Sequence, residues 1–464
     1  MKRLLFFTLL ALCVPLTAQP KSPAPSIEGT WQGAVEVNGI SLRLAFHISR
    51  TPKGLSATMD SIDQGAKGIP VSSVSMQGDG VVIDMPNIKG SFKGKLSADA
   101  ATIDGQWSQP AGRFPLQLKR TANDAVAEAR RPQNPVKPFP YGEEDVTFPN
   151  PGAAIQLAGT LTRPSGKGPF TSVVLITGSG PQNRDEEVFG HRPFLVLSDY
   201  LTRRGIAVLR VDDRGVAKSG GNFAAATTAD FATDVESAVA YLKSRAEVDP
   251  HRIGLIGHSE GAVIAPMIAS RNPDIAFIVM LAGFAVPGSE LIPEQVRMLV
   301  LAAGKSPAVA RQGAAEESAL LQLIVTEKDP VQLQKKLEEK LSSIMPEEQV
   351  GPAIETLTSP WYRYFLTYDP APALRQVKCP VLALNGSLDR QVAPEQSRDI
   401  RAALQQGGNQ HFETLEMPGL NHLFQTARTG GPEEYSVIEE TIAPEVLQKV
   451  ASWIEKNSSP PEKN

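Results

Sequence analysis

The segment Gly257-His258-Ser259-Glu260-Gly261 follows an apolar run, Ile253-Gly254-Leu255-Ile256, and continues as Ala262-Val263-Ile264-Ala265. Gly-x-Ser-x-Gly between a strand and a helix makes a sharp turn that pushes the serine hydroxyl outward. Its glycines let strand and helix approach each other. Ser259 is therefore expected to be a nucleophile, with a helix N-terminus behind it that favours developing negative charge. A serine hydroxyl needs a base, and the base needs an orienting carboxylate. Of the six histidines, His422 in Pro418-Gly419-Leu420-Asn421-His422 follows the last apolar strand, at the edge where α/β sheets collect reactive groups. His47 lies in a β-rich region, while His251 and His411 precede their strands. His258, inside the turn, is expected to point away from the cleft. His191 follows the loop after an earlier strand and is a candidate pocket residue. Asp389, in the turn after Leu382-Ala383-Leu384, is the expected carboxylate.

An oxyanion needs backbone donors. One is expected from the Glu260 N–H, directly after the nucleophile. The other is expected from Thr177-Gly178-Ser179-Gly180-Pro181, which follows the strand Val173–Ile176. The Ser179 N–H is preferred, Gly180 is the near alternative, and Gly178 should line the pocket. This glycine-rich loop lacks the Lys-Ser/Thr pair of a phosphate-binding loop. A carboxylate at Glu260 would oppose an oxyanion unless neutralised, so a supporting contact with Arg184 or Arg214 is expected; otherwise Glu260 faces solvent. Trp361, Tyr362, Tyr364 and Phe365 could form an apolar acyl wall or the packing of their own subdomain. The sequence shows no cluster of metal ligands, and the chemistry needs no metal or organic cofactor.

These residues must be positioned by a parallel sheet. Ser172–Ile176, Ile206–Val211, Ile253–Ile256, Phe277–Leu281 and Pro380–Leu384 are continuous apolar runs separated by helical patterns such as Asp230–Ala246. The predicted catalytic unit is α/β and spans 143–464. Between about 288 and 378 the strands stop and helical segments (Glu294–Leu301, Val331–Ile344) suggest an inserted cap, too long to be a loop. Residues 27–120 alternate in the period of antiparallel strands, as in Leu42–Ile48 and Val81–Met85, which predicts a small all-β barrel or sandwich. Its early Gly29-Thr30-Trp31 suits a barrel plugged by Trp31, or, less directly, one that binds a ligand. Residues 121–142 include Arg131–Tyr141, with four prolines in eleven positions, and read as a stiff linker.

The 464 residues carry 46 basic and 50 acidic side chains, 41% hydrophobic and 21% charged residues, and a net charge of −4. A packed core is expected and a nucleic-acid partner is not. Met1-Lys2-Arg3, the apolar run Leu4–Val14 and Ala18 form the pattern of a secretory signal peptide at 1–18. The run is too short for a membrane span. Lipoprotein processing at Cys13 is disfavoured by the bulky Leu12. Cleavage would remove Lys2, Arg3 and Cys13, taking the charge from −4 to −6 and leaving Cys379 without a disulfide partner. A periplasmic or secreted location is the expectation, with the oligomeric state left open.

The order Ser259, Asp389, His422 matches α/β-hydrolases and differs from chymotrypsin- and subtilisin-type proteases. The stretch from about Glu143 onward resembles the α/β-hydrolase superfamily, and within it the EstD-type bacterial carboxylesterases. The resemblance rests on Gly178-Ser179-Gly180-Pro181-Gln182-Asn183-Arg184-Asp185-Glu186, Asp213-Arg214-Gly215 with Ser219-Gly220, the Ser259 elbow, Ser359-Pro360-Trp361-Tyr362, Asn385-Gly386-Ser387-Leu388-Asp389 and Asn421-His422. It implies an α/β-hydrolase fold with a helical cap, an additional N-terminal domain, and a serine esterase acting on small-molecule carboxylic esters. A peptidase, an amidase, an acyltransferase, or a β domain that binds the principal ligand are the alternative expectations.

Overall fold

A computed structural model describes residues 26–37, 40–52, 54–62, 66–109, 112–121, 130–345 and 347–458. The expected signal segment 1–18 and linker residues 122–129 lie outside these. The β-period of the N-terminal region forms β1 (Gly29–Val37), β2 (Ile40–Thr51), β3 (Gly54–Ser61), β4 (Ala66–Pro70), β5 (Ser73–Gln77), β6 (Gly80–Met85), β7 (Gly90–Leu96), β8 (Thr102–Gln109) and β9 (Gly112–Thr121). All pair antiparallel in the order β4-β3-β2-β1-β9-β8-β7-β6-β5. Alternation does the folding. In β6, Val81, Ile83 and Met85 turn inward while the intervening residues are half exposed. The sheet curls until β3 comes beside β5, which is far from it in the strand order, and Trp31, Phe46, Phe92 and Trp107 fill its interior. Trp31 is wholly buried there: its indole N–H donates to the Ile27 carbonyl at 2.8 Å, and the Arg120 guanidinium lies 4.4 Å from the ring centre.

The second sheet contains β10 (Gly142–Asn150), β11 (Ile155–Arg163), β12 (Phe170–Ile176), β13 (Ala207–Val211), β14 (Val248–His258), β15 (Phe277–Leu281), β16 (Val381–Gly386) and β17 (Phe412–Met417), in the order β10-β11-β13-β12-β14-β15-β16-β17. The expected parallel strands occupy its centre. The antiparallel hairpin β10–β11 extends one edge and was not anticipated from the apolar runs, because its β10 alternates as a strand half open to water. Successive residues of the buried strands serve opposite cores. Val174 and Ile176 pack with α2 (Thr228–Lys243) and α3 (Gly261–Ala269), while Val173 and Leu175 pack with α1 (Pro193–Arg203) and α11 (Pro444–Asn457). This two-sided burial explains the unbroken apolar runs. Helix α2 begins two residues before the predicted Asp230 because Thr227 and Asp230 form a reciprocal cap, Asp230 accepting from Thr227 N–H at 2.9 Å.

Between β15 and β16 lie α4 (Gly288–Ala302), α5 (Pro307–Thr326), α6 (Pro330–Leu341), α7 (Glu347–Leu357) and α8 (Pro360–Thr367), followed by α9 (Ala371–Gln376) and, beyond β16, α10 (Gln396–Gln406). Leu320, Leu321, Ile324, Leu337 and Ile354 give the inserted helices their own core, which Leu366 of α8 closes. The molecule is an α/β-hydrolase fold with a helical cap, preceded by a barrel-like β domain.

Candidate active site

Strand β14 ends at His258 and helix α3 begins at Gly261, so the chain reverses over two residues. Ser259 takes φ +52°, a left-handed conformation costly for any residue but glycine. The flanking glycines are obligatory. A Cβ on Gly257 would stand 2.0 Å from the Gly261 carbonyl oxygen, and one on Gly261 would stand 2.2 Å from that of Ile176. The Ser259 N–H is anchored to the Leu281 carbonyl at 2.8 Å.

Asp389 and His422 follow the carboxyl ends of β16 and β17, beside this turn. His422 Nδ1 donates to Asp389 Oδ2 at 2.8 Å, and Asp389 Oδ1 accepts from the Gln391 and Val392 N–H groups, both at 2.8 Å. Asp389 is wholly buried and His422 is 4% exposed. With Nδ1 holding the proton, Nε2 is left with a lone pair to take one. Asn421 frames the histidine loop, its Oδ1 accepting from the Leu423 and Gln425 N–H groups at 3.0 and 2.9 Å.

Ser259 and His422 share a cavity of about 620 Å³. Gly178, Ser179, Trp361, Tyr362 and Phe365 also line it, with Phe284, Leu291 and Val392 adding apolar surface. Tyr364, on the other side of α8, instead stacks on Tyr368 with ring centres 5.5 Å apart. The Gly178 N–H is committed to Glu186 Oε1 at 2.7 Å. The Ser179 and Glu260 N–H groups make no hydrogen bond among the described residues, which keeps both available for a ligand oxygen.

The structure corrects three expectations. Glu260 pairs with neither arginine and does not face solvent: it is 2% exposed, accepting from the Thr228 hydroxyl at 2.7 Å and from the Trp361 indole N–H at 2.9 and 3.0 Å. Arg184 is taken by Asp212 at 2.6 and 3.0 Å, and Arg214 by Asp234 at 2.7 and 2.9 Å. Each guanidinium meets a carboxylate before it can reach the elbow: Asp212 directly follows β13, and Asp234 projects from α2. Burial raises the Glu260 pKa against the pull of the Thr228, Trp361 and Ser179 side chains. His191 does not line the cavity. It is 1% exposed, bonded to Thr441 Oγ1 and the Tyr435 carbonyl, each at 2.9 Å, and burial foremost pulls its pKa down to about 4. His258 does line it, with Nδ1 3.0 Å from Glu186 Oε1 and Nε2 3.0 Å from the His422 carbonyl oxygen. Burial lowers the His258 pKa, but the Glu186 carboxylate and its hydrogen bond outweigh this and leave it raised.

Glu186 thus ties the Gly178 loop to His258, and its only sequence signal was membership of the motif that begins at Gly178. Asp213 braces the same loop from the other side, accepting from Thr177 Oγ1 at 2.7 Å and from the Gln182 N–H at 2.8 Å. Burial, helped by the Glu186 and Glu260 charges, pushes the Asp213 carboxyl up to about 7 against these hydrogen bonds. A folded-state pKa above the unfolded one means the native chain holds this proton more tightly. The Asp213 contribution to stability is therefore full below about pH 4 and lost as pH rises through about 7. Between about pH 4 and 7 the thermal-unfolding midpoint of the wild type should accordingly fall relative to that of Asp213→Asn. Parallel curves would show that Asp213 does not titrate in that window.

Among the described residues no group of three or more His, Cys, Asp and Glu side chains is placed to hold a metal ion. The family model Hydrolase_4, described as serine aminopeptidase, S33, matches residues 193–426, which is 234 of the 464. The chain belongs to this family. The Hydrolase_4 match spans the elbow, the Asp389 turn and the His422 loop, and omits the β domain. The chain is also 28% identical over 370 residues to esterase EstD of Thermotoga maritima, covering 78% of this chain and 77% of that protein. Among solved structures it is similar to the α/β-hydrolase GrgF of Penicillium sp. sh18, with TM-score 0.45, 17% identity, and coverage of 68% of this chain and 99% of that one. It is also similar to the Pyrococcus furiosus esterase Pf2001, with TM-score 0.43, 18% identity, and coverage of 69% and 94%.

Proposed function

We propose that this Hydrolase_4 protein is an exported serine carboxylesterase that hydrolyses short- to medium-chain carboxylic esters through an acyl-enzyme. The observation that carries the reading is the chemistry of the cavity around Ser259. Its lining is dominated by aliphatic and aromatic side chains, and the one carboxylate among its described residues, Glu186, is already committed to His258 and Gly178. A neutral acyl chain suits such a wall, and about 620 Å³ is ordinary for a small-molecule site. The name of the Thermotoga maritima relative agrees with this reading.

In the reaction, His422 Nε2 takes the proton of Ser259 as Oγ attacks the ester carbonyl. The tetrahedral oxyanion accepts from the Ser179 and Glu260 N–H groups. Asp389 holds the imidazole tautomer and stabilises its charged form. His422 then returns the proton to the departing alkoxide, leaving an acyl-serine. Water, deprotonated by the same histidine, attacks the acyl carbon, and the carboxylic acid leaves as the Ser259 hydroxyl is restored. The export reading is carried by the pattern of residues 1–18. Among the described residues no helix is long and apolar enough to cross a membrane.

The family description favours a second reading, an aminopeptidase. Such an enzyme must hold a cationic α-amino group beside Ser259, and among the described residues this lining has no uncommitted carboxylate. Purified protein assayed on p-nitrophenyl acetate, butyrate, octanoate and palmitate, beside aminoacyl p-nitroanilides, separates the two. Ester turnover that declines toward palmitate is expected. Turnover of the anilides without the esters would overturn the esterase.

A further inference from the structure

The segment joining the two domains reaches into the walls of the cavity. Arg131 donates to the carbonyls of Phe189, Ser436 and Ile438 at 2.8, 3.0 and 2.9 Å. Gln133 donates to the Ile442 carbonyl at 2.7 Å and accepts from the Thr441 and Ile442 N–H groups at 2.5 and 3.1 Å. A planar guanidinium with five donors suits this task, because it can bind several carbonyls at fixed angles where an ammonium offers only a point charge.

The bonded loops are far apart in sequence and meet at the cavity. Phe189 and Tyr435 both line the cavity, their rings edge-on with centres 5.6 Å apart and planes at 67°. Phe189 has φ +50°, an outlying conformation for a bulky side chain, which persists only where neighbours hold it. Arg131 holds its carbonyl. The Tyr435 hydroxyl accepts from Gln391 Nε2 at 3.0 Å, and Gln391 also donates its N–H to Asp389. Strand β2 lies beside the turn Pro432–Glu434, whose Pro432 also faces the cavity.

We propose that residues 131–133 act as a strap that sets the acyl specificity of the site. Arg131 and Gln133 are positioning residues: they touch no substrate, but they determine where Phe189 and Tyr435 stand and so how long a chain the cavity admits. The inference rests on the serine-hydrolase reading of Ser259. It assigns the linker, and the β domain beside it, a part in substrate choice.

Alkyl fluorophosphonates test this without depending on which acyl substrate is natural. Each forms an Oγ–P bond at Ser259, with loss of fluoride and of the hydroxyl proton. Labelling rates of the full chain would be followed by intact mass for a methyl and an octyl probe. In Arg131→Ala the octyl-to-methyl rate ratio is expected to fall about 10-fold, with the methyl rate within about 2-fold of wild type. In a Phe189→Ala background the same substitution should leave the ratio unmoved, since the two act through one wall. An unchanged ratio in Arg131→Ala, an equal fall for both probes, or a full effect in the Phe189→Ala background would each overturn the strap. If the wild type fails to label at Ser259, the serine reading falls and the strap with it.

Discussion

Ser259→Ala is expected to lower kcat for ester hydrolysis by roughly 10⁶-fold while leaving KM nearly unchanged. The oxygen removed is the atom proposed to form the acyl bond, and no other hydroxyl on the turn replaces it. The scaffold should survive. The Ser259 N–H keeps its bond to Leu281, and the glycine contacts that allow φ +52° do not involve the serine oxygen. Residual catalysis would come from the Ser179 and Glu260 N–H groups and from binding alone. A chromogenic ester assay with burst analysis reads both quantities. More than about 1% of wild-type kcat, measured on protein free of wild-type carry-over, would remove Ser259 from the mechanism.

Asp389→Asn is expected to cost roughly 10⁴-fold in kcat, with little loss of folding. The reason lies in the two oxygens of the carboxylate. One accepts from the Gln391 and Val392 N–H groups, the other from His422 Nδ1. An asparagine has one acceptor oxygen. Turning it toward the two buried backbone donors spares them the desolvation penalty, about 1–3 kcal/mol per unsatisfied group. Its NH₂ then faces His422 Nδ1, which must accept, and the ring proton moves to Nε2, where it blocks the transfer from Ser259. Asp389→Ala should lose stability as well as rate, because those backbone donors are then left without a partner. Unfolding midpoints and kcat measured together separate the two variants. If Asp389→Asn keeps kcat within about 10-fold of wild type, orientation of the imidazole is not the role of Asp389.

Much of this site was legible before any coordinates. The elbow needs glycines at two fixed positions for steric reasons, so its spelling carries its geometry. Asp389 and His422 could be placed because parallel strands deliver their following loops to one edge. The cap was visible as a region where the strand pattern stopped. Partners across the fold were not legible. Arg184 and Arg214 looked available to Glu260, yet Asp212 and Asp234 lay nearer in space. His191 and His258 were assigned opposite environments from their places in the chain, and the structure reversed both. Tyr435 carried no signal at all, since nothing in the residues around it says that their loop turns back beside Phe189.

The local backbone is governed by short-range sterics and by the apolar period of each segment. The Gly-x-Ser-x-Gly turn, the α/β alternation and the chain order of Ser259, Asp389 and His422 therefore followed from the residues themselves. Contacts between side chains far apart in sequence depend on which loops converge, and that is settled by the packing of whole layers. Only the tertiary structure could show Glu260 buried against Trp361 and Thr228, Glu186 joining the Gly178 loop to His258, and Arg131 of the linker holding a wall of the cavity.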